Sequence, residues 1–319
     1  MNFWYNLPQP FFVLAPMEDV TDTVFRQVVA RAGRPDVFVT EFMNVSGFTH
    51  PTGRESVARR LKYASSEQPI VAQIWGNRPD DFAQTAHEIA QMDFAGIDIN
   101  MGCPDKAVVR SGGGAALIQN PELASEIIDA VKRVAQKKRL PISVKTRVGF
   151  SRADEWRGWL TTLLEQDLDA LTVHLRTRRE MSRVPAHREL IPDIVKLRDK
   201  VAPHAKLIIN GDIRDRTDGL KLADENTGVD GLMIGRGVFA NPFCFEPYPR
   251  QHDRAELIEL LKYHLDLFDT HGDARKFEPL KKFFKIYINN FPGAADLRAK
   301  LMTAKNTDTA RQIIKEVIK

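Results

Sequence analysis

The sequence is poor in cysteine. Only Cys103 and Cys244 occur in 319 residues, which excludes a disulfide framework, and no cysteine pair has metal-ligand spacing. No metal site is expected. No apolar run approaches the ~20 residues a membrane helix needs, so no membrane association is expected. The opening residues MNFWYNLPQP lack a basic region followed by an apolar segment, and a cytoplasmic protein without a signal peptide is the expectation. Low-complexity stretches are missing, and so is any internal repeat beyond alternating strand and helix patterns. With 43% hydrophobic residues there is ample material for a core, in one large domain or one large and one small.

What is present begins with charge. The net charge of +4 is modest but unevenly spread. Residues 250–319 carry 14 Lys/Arg against 10 Asp/Glu, and within 275–305 the count is 8 against 2. A clustered basic excess suits a polyanionic partner; a solvated helix face is the plainer alternative.

Eight apolar runs recur, each followed by a helix-compatible stretch: Phe11–Met17, Asp36–Phe42, Pro69–Gly76, Gly96–Asn100, Ile142–Val148, Ala170–Arg176, Lys206–Ile213 and Gly231–Gly235. Most are continuous rather than alternating, as in parallel strands covered on both faces. The intervening stretches have helical spacing, as in Asn120–Ala135 with Leu123, Ile127, Ile128, Val131 and Val134. Eight such units in about 240 residues predict an α/β protein, a (β/α)8 TIM barrel, spanning residues 1–243. A doubly wound sheet is the alternative. Asn241–Asp253, with three prolines, reads as a linker. Residues 244–319 then predict a helical domain with helices over Ala255–Phe268, Phe277–Asn290 and Thr309–Ile318, and a short turn near Asp296–Met302. Phe284, Tyr287 and Phe291 read as its core.

Barrel chemistry sits at the C-terminal strand ends. Those ends supply Pro16 and Met17, Glu41, Gln73, Asn100 and Cys103, then Lys145 and Arg147, His174 and Arg176, Asn210 and Asp212, and Gly235 and Arg236. Glu41 reads as structural. Cys103 follows the fourth strand between the turn formers Gly102 and Pro104, where a thiol can serve as nucleophile, metal ligand or general acid. Downstream, Ser111-Gly112-Gly113-Gly114-Ala115 suggests close approach of backbone to a ligand. Glycines at Asn210-Gly211-Asp212 and Ile234-Gly235-Arg236-Gly237, on strands seven and eight, suggest a phosphate site, with Arg236 adding charge-assisted bonds.

Taken together, Ala15-Pro16-Met17-Glu18-Asp19-Val20-Thr21-Asp22, Asp98-Ile99-Asn100-Met101-Gly102-Cys103-Pro104, Gly112–Leu117, Ser143-Val144-Lys145-Thr146-Arg147 and Val173-His174 resemble the tRNA-dihydrouridine synthases. The two glycine motifs belong to the same pattern. The resemblance runs nearly end to end, and Asn-Met-Gly-Cys-Pro on the fourth strand is its most specific part. It implies an FMN-dependent enzyme that reduces particular uridines of tRNA with NADPH or NADH and is expected to act as a monomer. Pro16 and Met17 would lie against the flavin, Gln73, Lys145 and His174 would contact its ring, and Asn210, Gly211, Asp212, Gly235 and Arg236 would surround its ribityl-phosphate. Asn100 would be near the target uracil and Cys103 would be the proton donor. Arg147, Arg176 and Arg178 are expected on the RNA side, as are Lys281, Lys282, Lys285 and Arg298 in the tRNA-binding tail. One departure stands out. Leu175 replaces the family's glycine after the sixth-strand histidine, and Arg178–His187 is unlike the usual loop.

Three other activities bear comparison. A flavin barrel acting on a small molecule would need no basic tail; a Schiff-base aldolase would use Lys145 as nucleophile; a non-catalytic tRNA binder would not need the flavin set. Oxidation of NADPH that depends on tRNA separates the first reading from all of them.

Overall fold

The protein is described by a computed structural model covering residues 2–271 and 276–318, the side chains of residues 317 and 318 excepted. Each of the eight apolar runs contains a strand: β1 (Phe11–Leu14), β2 (Phe38–Val39), β3 (Ile70–Trp75), β4 (Gly96–Met101), β5 (Ile142–Arg147), β6 (Ala170–His174), β7 (Lys206–Asn210) and β8 (Gly231–Ile234). All pair in parallel, each with the next, and β1 pairs with β8. The remaining seam, β1 to β2, is a single bridge between Val13 and Val37, supported by the Leu14 N–H donating to the Val37 carbonyl at 3.1 Å. The eight strands form a (β/α)8 barrel rather than a doubly wound sheet.

Two strands are shorter than their apolar runs. β1 stops at Leu14 because Pro16 has no N–H to continue a ladder. In the second run, the Thr40 hydroxyl accepts the N–H of Gln73 at 2.9 Å, replacing a backbone carbonyl. Pairing with β3 resumes only at Met43–Asn44.

The lower barrel is an apolar plug. Phe11, Val13, Val37, Val71, Ile208 and Met233 pack together, and Trp4, 5.6 Å from the Phe11 ring, packs with them beneath the strands. Burying each large side chain contributes about 1.5–3 kcal/mol. Two residues further along each strand, the inward positions turn polar: Gln73, Asp98, Ser143 and Thr172, then Asn100, Lys145 and His174. Because side chains alternate across a strand, the outward positions remain apolar and meet the helices. These begin at side-chain caps that satisfy otherwise orphan N–H groups, such as Asp22 for Thr23–Ala32 and Asp215 for Arg216–Glu225.

The expected linker is a packed strap. Cys244 and Phe245 are buried in the main core, and the Phe243 ring stacks on His252 at 3.4 Å. The tail helix Arg254–His271 follows. A 3-10 turn (Glu278–Phe283) opening at Pro279 runs into a short helix (Phe284–Tyr287), so the expected Phe277–Asn290 helix is shorter and partly 3-10. The expected turn near Asp296 is instead a helix, Ala294–Met302, anchored by buried Leu297 and Leu301. Thr307–Ile318 closes the chain. Phe284 and Tyr287 are buried, with Phe291 packed against them. The tail docks on the first barrel helix, where the Phe25 ring lies 4.9 Å from Phe283. Arg275, part of the basic excess, lies outside the described residues.

Candidate active site

The C-terminal strand ends surround a cavity of about 790 Å³. On its β4 side, the Asn100 amide oxygen accepts the N–H groups of Gly102 (3.0 Å) and Cys103 (2.9 Å), so the chain turns tightly and leaves the thiol on the cavity wall. Burial raises the pKa of Cys103 more than any neighbour does, while the Asp105 backbone N–H, then Arg147 and Lys145, pull it down. At neutral pH the thiol holds its proton. The glycine run serves this loop and is not part of the cavity wall. Gly114 has φ +56°, and a Cβ there would stand 2.9 Å from the Cys103 carbonyl oxygen. The close approach is of backbone to backbone.

Beside it, β5 and β6 contribute cationic groups to the same wall. Burial draws Lys145 down to about 8, with Arg147 second; Asp98 and Cys103 oppose the shift. Its ammonium has no hydrogen-bond or ion-pair partner among the described residues. Burial, followed by Arg147 and Lys145, holds His174 well below its ordinary pKa, so the imidazole is neutral. Arg176 Nη1, 3.3 Å from His174 Nε2, can only donate. Nε2 therefore accepts, and the proton sits on Nδ1.

At β7 and β8 the wall is backbone. Gly211 has φ +128°, and a Cβ there would lie 3.0 Å from that of Ala186; Asp212 follows at φ +52°. The Asp212 carboxylate accepts from Arg236 at 2.8 Å, from the Ala186 N–H at 2.9 Å, and from Arg176, which holds its pKa below the usual range although burial opposes the shift. Asn210 is fixed by donating to the Met233 carbonyl at 2.8 Å. Gly235 abuts Met17, bringing the first and eighth strand ends together beside Pro16.

Two residues proposed for the site stand off the wall. Gln73 has no exposed surface, and both ends of its amide are engaged, to Asp98 at 2.7 Å and from Asn100 at 3.0 Å; it lies beneath the cavity. Arg178 packs over the Phe150 ring at 5.3 Å. Arg147 and Arg176 reach the wall but their guanidinia hold loops. Arg147 donates to the carbonyls of Gly102 (2.8 Å), Thr177 (3.1 Å) and Met181 (3.0 Å), and Arg176 to that of Val184 at 2.6 Å. The atypical loop is thereby pinned at the cavity lip, and Glu180 adds a bond to His187 at 2.9 Å. Met181 and Ser182 of this loop line the cavity, as do Phe42, Arg214 and Asp215. Sequence inspection missed Met181, Ser182, Arg214 and Asp215 because they lie beyond the apolar runs, and passed over Phe42, the last residue of the second run, for its neighbour Glu41. In the tail, Lys281 bonds Glu278 and the Met302 carbonyl, and Arg298 the Ile288 carbonyl. Lys282 and Lys285 are exposed. Glu18, Asp19 and Glu41 cluster beside β1, and the Glu41 carboxylate accepts the Asp19 N–H at 2.6 Å.

The family model described as dihydrouridine synthase matches residues 13–319. The chain belongs to the dihydrouridine synthase family. It is 55% identical over 315 residues to "Probable tRNA-dihydrouridine synthase 2" of Bacillus subtilis (strain 168), covering 98% of this chain and 95% of that one. To "Probable tRNA-dihydrouridine synthase" of Staphylococcus aureus (strain COL) it is 52% identical over 317 residues, covering 99% and 95%. Among solved structures, a 2-naphthoyl-CoA reductase complex matches with TM-score 0.52 at 12% identity, over 73% of this chain and 49% of that one. That likeness concerns the barrel fold alone. Dihydrouridine synthases are oxidoreductases, and this member has no helix among its described residues long and apolar enough to cross a membrane.

Proposed function

We propose that the protein is a tRNA-dihydrouridine synthase of the cytoplasm, reducing the C5=C6 bond of uridines in tRNA, with FMN in the cavity and NADPH or NADH as reductant. The observation that carries this reading is one cavity wall shared by a protonated thiol, Cys103, and an unpartnered ammonium, Lys145. The donor set fits a phosphorylated flavin. Lys145 offers a charge to an electron-rich ring, Pro16 and Met17 offer an apolar face, and the Gly211–Asp212 turn with Gly235 and Arg236 offers backbone and guanidinium donors to a phosphate. Asn210 backs that turn, and Gln73 supports the site from below.

When bound, reduced FMN supplies the hydride that adds to carbon 6 of the uracil. Cys103 then gives its proton to carbon 5, as a positioned acid must. The resulting thiolate is stabilised by Lys145 and Arg147, the cations that already oppose its raised pKa, and regains a proton from solvent. Neutral His174, donating through Nδ1, orients a carbonyl without adding a competing charge. Asn100 keeps one amide N–H for the base while its oxygen shapes the Cys103 loop. The target base must be swung out of the folded RNA to enter. Phosphates then meet exposed cations at the mouth and on the tail of residues 244–319, which supply most of the affinity. The protein works as a monomer in this reading.

The test is direct. Purified protein should carry non-covalent FMN, released on denaturation, and should oxidise NADPH or NADH only when unmodified tRNA is present, with dihydrouridine appearing in the RNA. Colourless protein that takes up no added FMN would overturn it.

A further inference from the structure

Beneath the cavity floor a row of hydrogen bonds crosses three barrel strands and ends at the backbone of Cys103. Ser143 Oγ donates to one oxygen of the Asp98 carboxylate at 2.6 Å, and Gln73 Nε2 donates to the other at 2.7 Å. Asn100 Nδ2 donates to Gln73 Oε1 at 3.0 Å. The Asn100 oxygen then accepts the N–H groups of Gly102 and Cys103. Ser143, Gln73, Asp98 and Asn100 are each at most 5% exposed, so no water competes for these bonds and any that fail stay unmade.

From this geometry we infer that Asp98 is a positioning residue for Cys103, setting the thiol's place on the cavity wall through the side-chain amides of Gln73 and Asn100. Each amide could turn either end to its neighbour. Burial raises the Asp98 pKa to about 6, with Ser143, Gln73 and Lys145 opposing, so at neutral pH the carboxylate is ionised and can only accept. Gln73 must then present its N–H groups to Asp98 and its oxygen to Asn100. Asn100 must then present N–H to Gln73 and oxygen to the loop. At the far end the two backbone N–H groups can only donate, which demands the same polarity. The row has one consistent direction. Without the acceptor at position 98 only the N–H groups of Gly102 and Cys103 hold the two amides in this direction, and any reversal of Asn100 would turn N–H groups against them. Asp98 itself does not line the cavity. The inference rests on Cys103 being the proton donor.

The experiment moves the carboxylate along the row. Gln73→Glu places two acceptors face to face and should break the row. The double variant Gln73→Glu/Asp98→Asn restores every bond with the carboxylate one position along, its new amide accepting from Ser143 and donating to position 73. Two quantities are read: reoxidation of reduced enzyme by unmodified tRNA, and iodoacetamide alkylation of Cys103 followed by peptide mass, with buried Cys244 as the unreactive control. The single variant should be reoxidised about 10- to 100-fold more slowly, the effect of a slightly misplaced group, with an altered alkylation rate. The double variant should return to within about twofold of wild type in both. Gln73→Met, which breaks the row without charge, carries the same comparison if Gln73→Glu fails to fold. Wild-type reoxidation and alkylation in every variant would overturn the inference, as would a double variant no better than the single one. If Cys103→Ala is reoxidised normally, the proton-donor reading fails instead, and the alkylation rates still decide whether the row positions the thiol.

Discussion

Lys282, in the helical tail, donates a hydrogen bond to the backbone carbonyl of Asp19, in the loop that follows β1. The tail is thereby tied to the rim of the cavity, two residues from Met17 on its wall. The three neighbouring lysines are not equivalent. Lys282 and Lys285 are exposed, whereas the Lys281 side chain is only 10% exposed and already bonded within the tail. Replacing Lys282 and Lys285 by Ala should weaken tRNA binding and lower the slope of log affinity against log salt by about one to two units, roughly one for each phosphate no longer neutralised. Lys281→Ala should reduce thermal stability with a smaller change in that slope. Equal slopes for all variants and wild type would make this face ordinary solvated surface.

In the proposed function Lys145 supplies positive charge where a bound reduced flavin is electron-rich. In Lys145→Met the midpoint potential of bound FMN should fall by about 30–60 mV, one to two powers of ten for a two-electron couple. Burial draws the Lys145 pKa down to about 8 and a flavin anion beside it draws it back up, so the difference between wild type and variant should shrink only as pH rises above that value. Spectroelectrochemical titration at pH 7 and pH 9 checks both.

Glu41 makes a prediction about stability. Burial, with Asp22 and Glu18 next, raises its pKa to about 7, so between the ordinary value of 4.5 and 7 the folded state binds more protons than the unfolded chain. Stability from this group is therefore greatest at acid pH and is lost as pH rises through that window. Glu41→Gln keeps the acceptor for the Asp19 N–H and should stabilise the protein at pH 8 by on the order of 2 kcal/mol, with little effect at pH 4.5. Denaturant unfolding at the two pH values reads the difference, and a variant equally or less stable at pH 8 would contradict the assignment.

Much of the architecture was legible in the sequence because parallel strands buried on both faces leave continuous apolar runs, and all eight were visible. The tail was harder. Ala294–Met302 has only Leu297 and Leu301 as buried leucine anchors, too few for a helical period to stand out. Pro242 and Pro247 made a packed strap resemble a free linker, because sequence alone did not show Cys244 and Phe245 entering the core. At the site, the strand ends pointed to Cys103, Lys145 and His174, and the structure puts all three on the wall of one cavity. What they could not show was direction within the barrel. Gln73 and Asp98 face inward, but one layer below the cavity, and only the register between β3 and β4 places them there. Arg147 and Arg176 read as RNA-side cations; their guanidinia are engaged by backbone carbonyls 30 and 8 residues further along, at Thr177 and Val184.

The central claim is that Cys103 gives the proton to the uracil, and stopped-flow reoxidation of the reduced enzyme by unmodified tRNA tests it most directly, because this step is separate from reduction by NADPH. Cys103→Ala should keep its fold, its FMN and its rate of reduction, at a cost of about 1 kcal/mol of stability. Reoxidation by tRNA should slow by roughly 10²–10⁴-fold, the usual contribution of a positioned acid. Reoxidation at the wild-type rate would contradict the account.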